Sequence, residues 1–344
     1  MRAAIVQQPG SLIVRTDLPK PEVGDYDVLC DLLYGATCTG TDQHLIEGRF
    51  PWPVSYPTVL GHESVGRVIA IGSKVRHFRE GDLVSRVGMP PDPNGTYHVN
   101  WGGFADYGIA KDHWAMRADG LPASAWASYR VNQVIPADVD PRVATMIITW
   151  RETLSYLTRL GIRSGTTVLI VGSGGNGLSF ASHALNAGAD QVTMIGSASR
   201  KAAAHAAGVT TVVDYRDNDA TAQAAAIVPK GYDIVIDAIG QAETADKVLS
   251  LIKPGGTLGI YGVDDLANCQ IHPHHAQGSF SFYNGGYDEA EAHQKVIDMI
   301  RTRRLDAEIW LDLDHTYALD EIQSAFDAVR RRRFIKALVK LTLD

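Results

Sequence analysis

Cysteine is scarce. The 344-residue chain has three, Cys30, Cys38 and Cys269, too few for a disulfide framework and in keeping with a reducing, cytoplasmic setting. No apolar run reaches the roughly 18 residues that a membrane helix requires. The first residues, MRAAIVQQPG, lack the charged-then-apolar pattern of a secretory signal. An excess of basic charge is missing as well: the formal net charge is −7, which argues against general binding to nucleic acid or to anionic membranes. The one basic run, Arg330–Arg333, lies near the end of a helix-like stretch and reads as a solvated face. No repeat or low-complexity linker interrupts the chain. What remains, 45% hydrophobic and 21% charged residues, is the composition of a globular protein with one large or two ordinary domains.

The texture changes along the chain. Residues 1–110 read as short strands between Gly, Pro and Asp turns, with VLCDLLYGA, ESVGRVIAIG, DLVSRVG and FADYGIA as the clearest. From residue 141 the segment DPRVATMIITWRETLSYLTRLGI has helical spacing, with Asp140 as N-cap and Pro141 in the first turn. TTVLIVGSGGNGLSFASHALNAGADQVTMIG then runs strand, glycines, helix, strand. TVVDY, YDIVIDAIG and GTLGIYGV follow as further apolar strands with helical stretches between them. Alternation of this kind predicts a parallel, doubly wound α/β sheet. The expected division is 150–285 for that domain, inserted in a β-rich domain made of 1–149 and 286–344.

Gly172, Gly174, Gly175 and Gly177 lie in VGSGGNG, a G-x-G-x-x-G pattern. The pattern is weak alone, but here it follows an apolar strand and opens a helix. The first glycine allows a tight turn, the second admits a pyrophosphate to the backbone, the third lets helix and strand pack closely, and the helix N-terminus faces the phosphates. The end of the next strand bears on cofactor choice. A carboxylate there would bind the ribose 2′-hydroxyl of NAD; this chain has Gly196 and no carboxylate before Lys201. Ser197 and Arg200 suit a 2′-phosphate, so NADP(H) is expected over NAD(H); the other reading is a basic surface loop over a permissive NAD site. Tyr215 either packs on adenine or is a plain surface tyrosine.

ATCTGTDQHL, residues 36–45, packs a thiol, hydroxyls, a carboxylate and an imidazole into ten positions. It is either part of a metal site with a proton exit or a polar turn. Downstream, YPTVLGHESVGRVIAIGSKV carries Gly61-His62-Glu63, then Gly66, Gly72 and Val75. On these residues the whole chain resembles the zinc-dependent medium-chain dehydrogenases, the superfamily of alcohol, sorbitol and glucose dehydrogenases. The resemblance implies a Rossmann domain inserted in a GroES-like catalytic domain, a homodimer or homotetramer, and one catalytic zinc held by Cys38, His62 and Glu63. Cys38 lies 24 positions before His62, within the family's range. Thiolate, imidazole and carboxylate are zinc donors, and a catalytic site keeps one position open.

The chain departs from the family's pattern in three places. Cys38-Thr39-Gly40-Thr41-Asp42 is one residue longer than usual, so a bulge at Gly40 is expected to keep Cys38 rather than Thr39 on the metal. Thr41 is then the hydroxyl at the substrate oxygen. His44 is either the relay that hands the proton to solvent or a solvent-facing histidine, and Asp42 orients His62. Polyol-type relatives place a Glu 24 residues before the first fingerprint glycine, where this chain has Ile148; Glu152, one helical turn on, either reaches the zinc, its water or the substrate, or is a surface charge. Residues 82–110 contain no cysteine, so no structural zinc is expected. Trp52, Tyr97, His98 and Trp101 are equally pocket, core or surface residues.

The function this implies is a zinc-dependent oxidoreductase moving a hydride between NADP(H) and a small secondary alcohol or ketone, of polyol, sugar or cyclitol type. A zinc-free quinone or enoyl reductase of the same fold and a non-catalytic NADPH-binding protein are the alternatives. His62-Glu63 weighs against the first, and an open metal position beside a hydroxyl relay against the second.

Overall fold

A computed structural model describes residues 1–342; the final two residues, placed above in the catalytic domain, lie outside the described residues. The chain divides into two compact units. One comprises Met1–Ile148, Glu289–Thr302 and residues 310–342; the other comprises Thr149–Asp288 and Arg303–Ile309. The sequence reading placed 286–344 wholly in the first unit. The structure assigns 286–288 and 303–309 to the second, where Asn186 donates to the Arg304 carbonyl at 3.1 Å. Among the described residues no helix is long and apolar enough to cross a membrane.

The first unit is β-rich. Its larger sheet has the order Thr316–Ala318, Leu338–Lys340, Asp27–Ala36, Glu63–Ile71, Leu83–Ser85, Val134–Ile135, with Tyr107–Lys111 also pairing on Asp27–Ala36. A smaller sheet runs Ser11–Arg15, Ala3–Gln8, Thr58–Val59, His98–Val99. Ile5, Leu32, Leu45, Leu60 and Phe104 are fully buried in its core, each contributing about 1.5–3 kcal/mol by leaving water. The expected helix after Asp140 forms as two, Pro141–Ala144 and Ile147–Arg159; the Asp140 side chain caps the first by accepting from the Arg142 N–H.

The second unit is a six-stranded sheet with every pairing parallel. Its order is Thr211–Asp214, Gln191–Gly196, Thr167–Val171, Tyr232–Asp237, Ile252–Ile260, Ser281–Tyr283. Numbered along the chain this is 3-2-1-4-5-6, the dinucleotide-binding order, with its ligand crevice at the carboxyl ends where the order reverses. Val168–Val171 and Val192–Ile195 are buried throughout, which explains why these strands are apolar at every position rather than alternating.

Candidate active site

Antiparallel pairing sets Ala36 opposite Glu63, so the chain just past one strand lies beside the start of the other. Two residues beyond Ala36 comes Cys38; immediately before Glu63 comes His62. Gly61 has φ +100, and a Cβ there would fall 2.3 Å from the Phe104 nitrogen, so only glycine permits this turn. One ligand atom each from Cys38, His62 and Glu63 lies within 4.8 Å of the others, and all three residues are buried. The three residues expected to bind zinc from the first unit are therefore brought together.

The surroundings suit a dication. Asp42 Oδ1 lies 3.1 Å from His62 Nδ1, which directs that N–H to the carboxylate and leaves the Nε2 lone pair for a metal. The other oxygen, Asp42 Oδ2, accepts from the Cys38 N–H at 3.1 Å. Burial alone would depress the His62 imidazole, but Asp42 and Cys38 hold it well above its ordinary range, so a cation of some kind is favoured at this position. Lys336 Nζ donates to Glu63 at 2.7 and 2.5 Å, and both side chains are buried. Burial would lower the Lys336 ammonium; Glu63, and after it Cys38, raises it instead. With Cys38 counted as thiolate, the pocket carries three negative charges and one positive. A divalent ion brings the sum to zero, as a buried site requires. The donor set therefore fits zinc.

Lys336 is invisible in the motif. Its only signal is a lone charge inside the apolar run FIKALV. Two hydrogen bonds, Thr37 N–H to the Ala337 carbonyl at 3.0 Å and Ala337 N–H to Thr37 Oγ1 at 2.9 Å, bring it beside the site.

Two expectations need correction. No bulge forms at Gly40. It is right-handed, φ −75, at the N-cap of the helix Thr41–Glu47, and a Cβ would make only ordinary contact with Cys38 Sγ at 3.9 Å. The extra residue is absorbed in the loop between strand and helix, where no ladder has to be kept. His44 does not face solvent: the helix turns Asp42, His44, Leu45 and Ile46 inward, and His44 is only 4% exposed. Thr41, the first residue of that helix, is partly exposed.

The remaining candidates separate. Tyr97 is core, packed in the first unit. His98 is exposed on its short strand. Trp101 stands beside the site, its ring 5.3 Å from that of His62, with φ +66, a left-handed conformation that a bulky residue rarely holds. Phe50, unremarked in the sequence, links it to exposed Trp52, at 6.5 Å and 5.2 Å between rings. Glu152 belongs to the second unit and is not a member of the Cys38 cluster; it is buried and accepts from the Tyr261 hydroxyl at 3.1 Å.

The glycine loop follows the strand Thr167–Val171 and opens the helix Gly175–Asn186. Gly172 is left-handed, φ +111. A Cβ on Gly177 would fall 1.9 Å from the Gly172 carbonyl oxygen, whereas one on Gly174 would meet nothing within 4 Å. One glycine thus serves packing and the other leaves open ground for a phosphate. Gly196 has a packing reason of its own: a Cβ would lie 2.5 Å from Ser173 Cβ. Ser197 is buried, its N–H donating to Ser173 Oγ at 2.9 Å and its hydroxyl sharing a 2.9 Å bond with Ser199. Arg200 ends the turn Ala198–Arg200. Tyr215 is exposed, with the Arg216 guanidinium 5.6 Å from its ring centroid. Asp214, which the sequence reading passed over, also stands at this edge, beside Gly196 in the ladder and paired with Arg216.

Two family models match. One, described as the alcohol dehydrogenase GroES-like domain, covers residues 24–120; the other, zinc-binding dehydrogenase, covers residues 175–296. An alcohol dehydrogenase of Cupriavidus necator is 27% identical over 97% of this chain and 96% of its own. D-arabinitol dehydrogenase 1 of Uromyces fabae is 25% identical over 99% of this chain and 97% of its own. In structure, benzyl alcohol dehydrogenase from Acinetobacter calcoaceticus superposes with a TM-score of 0.81 over 99% of both chains at 18% identity, a likeness of fold.

Proposed function

This chain belongs to the zinc-type medium-chain dehydrogenase/reductase superfamily, and on that premise we propose that it is a zinc-dependent, NADP(H)-linked dehydrogenase of small secondary alcohols, of polyol, sugar or cyclitol type. The observation that carries this reading is the buried Cys38, His62, Glu63 cluster, charge-balanced for a dication by Asp42 and Lys336. A zinc-free reductase has no use for such a cluster.

When bound, zinc would supply Lewis acidity to the substrate oxygen and NADP(H) would supply or take the hydride. The chain does the rest. Cys38, His62 and Glu63 hold the metal and leave a position open. Asp42 fixes the His62 tautomer, and Lys336, hydrogen-bonded to both Glu63 oxygens, offsets part of that carboxylate's charge. Thr41, at the mouth of the helix Thr41–Glu47, takes the proton that the alcohol must lose, and His44 receives it inside the protein rather than at the surface. Glu152 keeps a buried carboxylate within the second unit, held by the Tyr261 hydroxyl. Gly172, Gly174, Gly175 and Gly177 cradle the pyrophosphate, Ser197 and Arg200 take the 2′-phosphate, and Tyr215 covers the adenine. Phe50, Trp52 and Trp101 would offer apolar contacts to the carbon skeleton of a substrate near His62.

Metal analysis of replete, dialysed protein tests the reading: one tightly held zinc per chain, absent from Cys38→Ser, with NADP-dependent oxidation of one or more members of a polyol, sugar, cyclitol and aromatic alcohol panel. Replete protein without zinc rejects the site; zinc without turnover on any alcohol or ketone favours the non-catalytic reading.

A further inference from the structure

The second unit carries a cluster that the dehydrogenase chemistry does not use. Asp246, His272 and His275 offer three ligand atoms within 4.8 Å of one another. We propose that they form a peripheral, exchangeable binding site for a divalent transition metal such as Zn²⁺ or Ni²⁺, separate from the Cys38 centre.

The sequence Ile271-His272-Pro273-His274-His275 sets three histidines in four positions. Pro273 starts a 3₁₀ turn, Pro273–His275, which the His275 N–H to His272 carbonyl bond closes at 2.9 Å. In a 3₁₀ turn residues three apart eclipse. His272 and His275 are therefore thrown to one side, with ring centroids 5.4 Å apart, and His274 is left out of the group. Asp246, on the short helix Thr244–Val248, meets them. Its Oδ1 is fastened by the His272 backbone N–H at 2.7 Å. Its Oδ2 faces both rings, 3.1 Å from each Nδ1.

The two carboxylate-to-imidazole spacings are close to those of a metal site, and the third pair lies within 4.8 Å. Bonds of about 2.0–2.1 Å in a tetrahedron set neighbouring ligand atoms about 3.3–3.4 Å apart, so a cation could enter with little rearrangement. Two imidazoles and one carboxylate suit zinc, nickel or copper rather than magnesium or calcium. The side chains of His272 and His275 are more than half exposed while that of Asp246 is mostly covered. Water would complete the coordination and the ion would exchange freely, which distinguishes this site from the buried one. Occupancy would tie the helix Thr244–Val248 to the long loop that leads into the edge strand Ser281–Tyr283, stiffening that end of the sheet.

The test uses full-length protein stripped with a chelator and titrated by calorimetry with Zn²⁺ and Ni²⁺, and by absorbance with Co²⁺. Wild type should bind a second equivalent more weakly than the first, without thiolate-to-cobalt absorption. The His272→Ala/His275→Ala double variant should weaken that equivalent at least tenfold and leave the first equivalent and turnover unchanged; Asp246→Asn, which keeps an acceptor for the His272 N–H, should weaken it as well. Cys38→Ser should keep it while losing the thiolate absorption. A wild-type protein with no metal beyond the Cys38-dependent equivalent, or a second equivalent that survives both the double variant and Asp246→Asn, overturns the proposal.

Discussion

Lys336 and Glu63, 273 positions apart in the chain, form a buried ion pair at the edge of the Cys38–His62–Glu63 cluster, Nζ to Oε1 at 2.7 Å. The pair is part of the proposed metal site: without the ammonium, the carboxylate would have burial against it and only a metal to offset its charge. Lys336→Met should therefore destabilise zinc-free protein by about 3–5 kcal/mol, the range for breaking a buried pair, with part of the loss recovered when zinc is added. Denaturant unfolding with and without the metal reads this directly. Equal stability of variant and wild type in the zinc-free form would show that the pair is not maintained.

In the proposed metal site, Asp42 would act on the metal through His62. Asp42→Asn keeps the size and an acceptor but removes the charge that favours the Nδ1–H tautomer. The expected result is a loss of zinc affinity of about 10–100-fold with the fold retained, measured by competition with a chromophoric chelator. Unchanged affinity would mean that the 3.1 Å contact does not orient the ring.

Thr41→Val tests the proton route. Turnover should fall by about 10²–10⁴-fold while zinc content and NADPH binding stay at wild-type levels. Near wild-type activity would remove Thr41 from the substrate oxygen and reopen which residue of the Cys38–Thr41 loop faces the metal.

Cofactor choice involves a packing partner. Arg200→Ala should weaken NADPH by about 10–100-fold, the worth of a charge-assisted contact, and leave NADH nearly unchanged. Gly196→Asp alone should destabilise the second unit, because its Cβ would meet Ser173 at 2.5 Å. Combined with Ser173→Gly it should bind NADH better than NADPH. Fluorescence titration of both cofactors decides; equal weakening of both by Arg200→Ala rejects the 2′-phosphate assignment.

His183 should give the second unit an acid-sensitive step. Its Nε2–H donates to the Trp150 carbonyl at 3.0 Å, its Nδ1 is buried with no hydrogen-bond partner among the described residues, and burial pushes the imidazole down to about 4. An unfolded histidine takes up a proton near pH 6.5. Between about pH 6.5 and 4 the unfolded state therefore binds more protons than the folded one. The contribution is complete above 6.5 and is lost as pH falls through that window, by up to about 1.4 kcal/mol per unit. His183→Gln, which keeps a donor for Trp150, should flatten the stability profile there relative to wild type. Parallel profiles would place the proton uptake elsewhere.

What the sequence determined by itself is what local chemistry dictates. The glycines at 172, 174 and 177 have one conformational purpose each, and apolar strands alternating with helices leave a parallel sheet as the solution. Gly61-His62-Glu63 with Cys38 upstream resembles the family's zinc ligands, and a thiolate, an imidazole and a carboxylate are each metal donors residue by residue. The tertiary structure decided everything that depends on partners distant in the chain. Lys336 reaches Glu63 only because Thr37 and Ala337 exchange hydrogen bonds across the sheet. Gly196 is bare because Ser173 fills its space, a contact between two strand ends that no motif records. His44 looked like a surface relay, yet the short helix that carries it turns that position inward, since Leu45 and Ile46 have a core to fill. The extra residue beside Gly40 required no bulge, because a loop takes up length at little conformational cost where a strand in a ladder cannot.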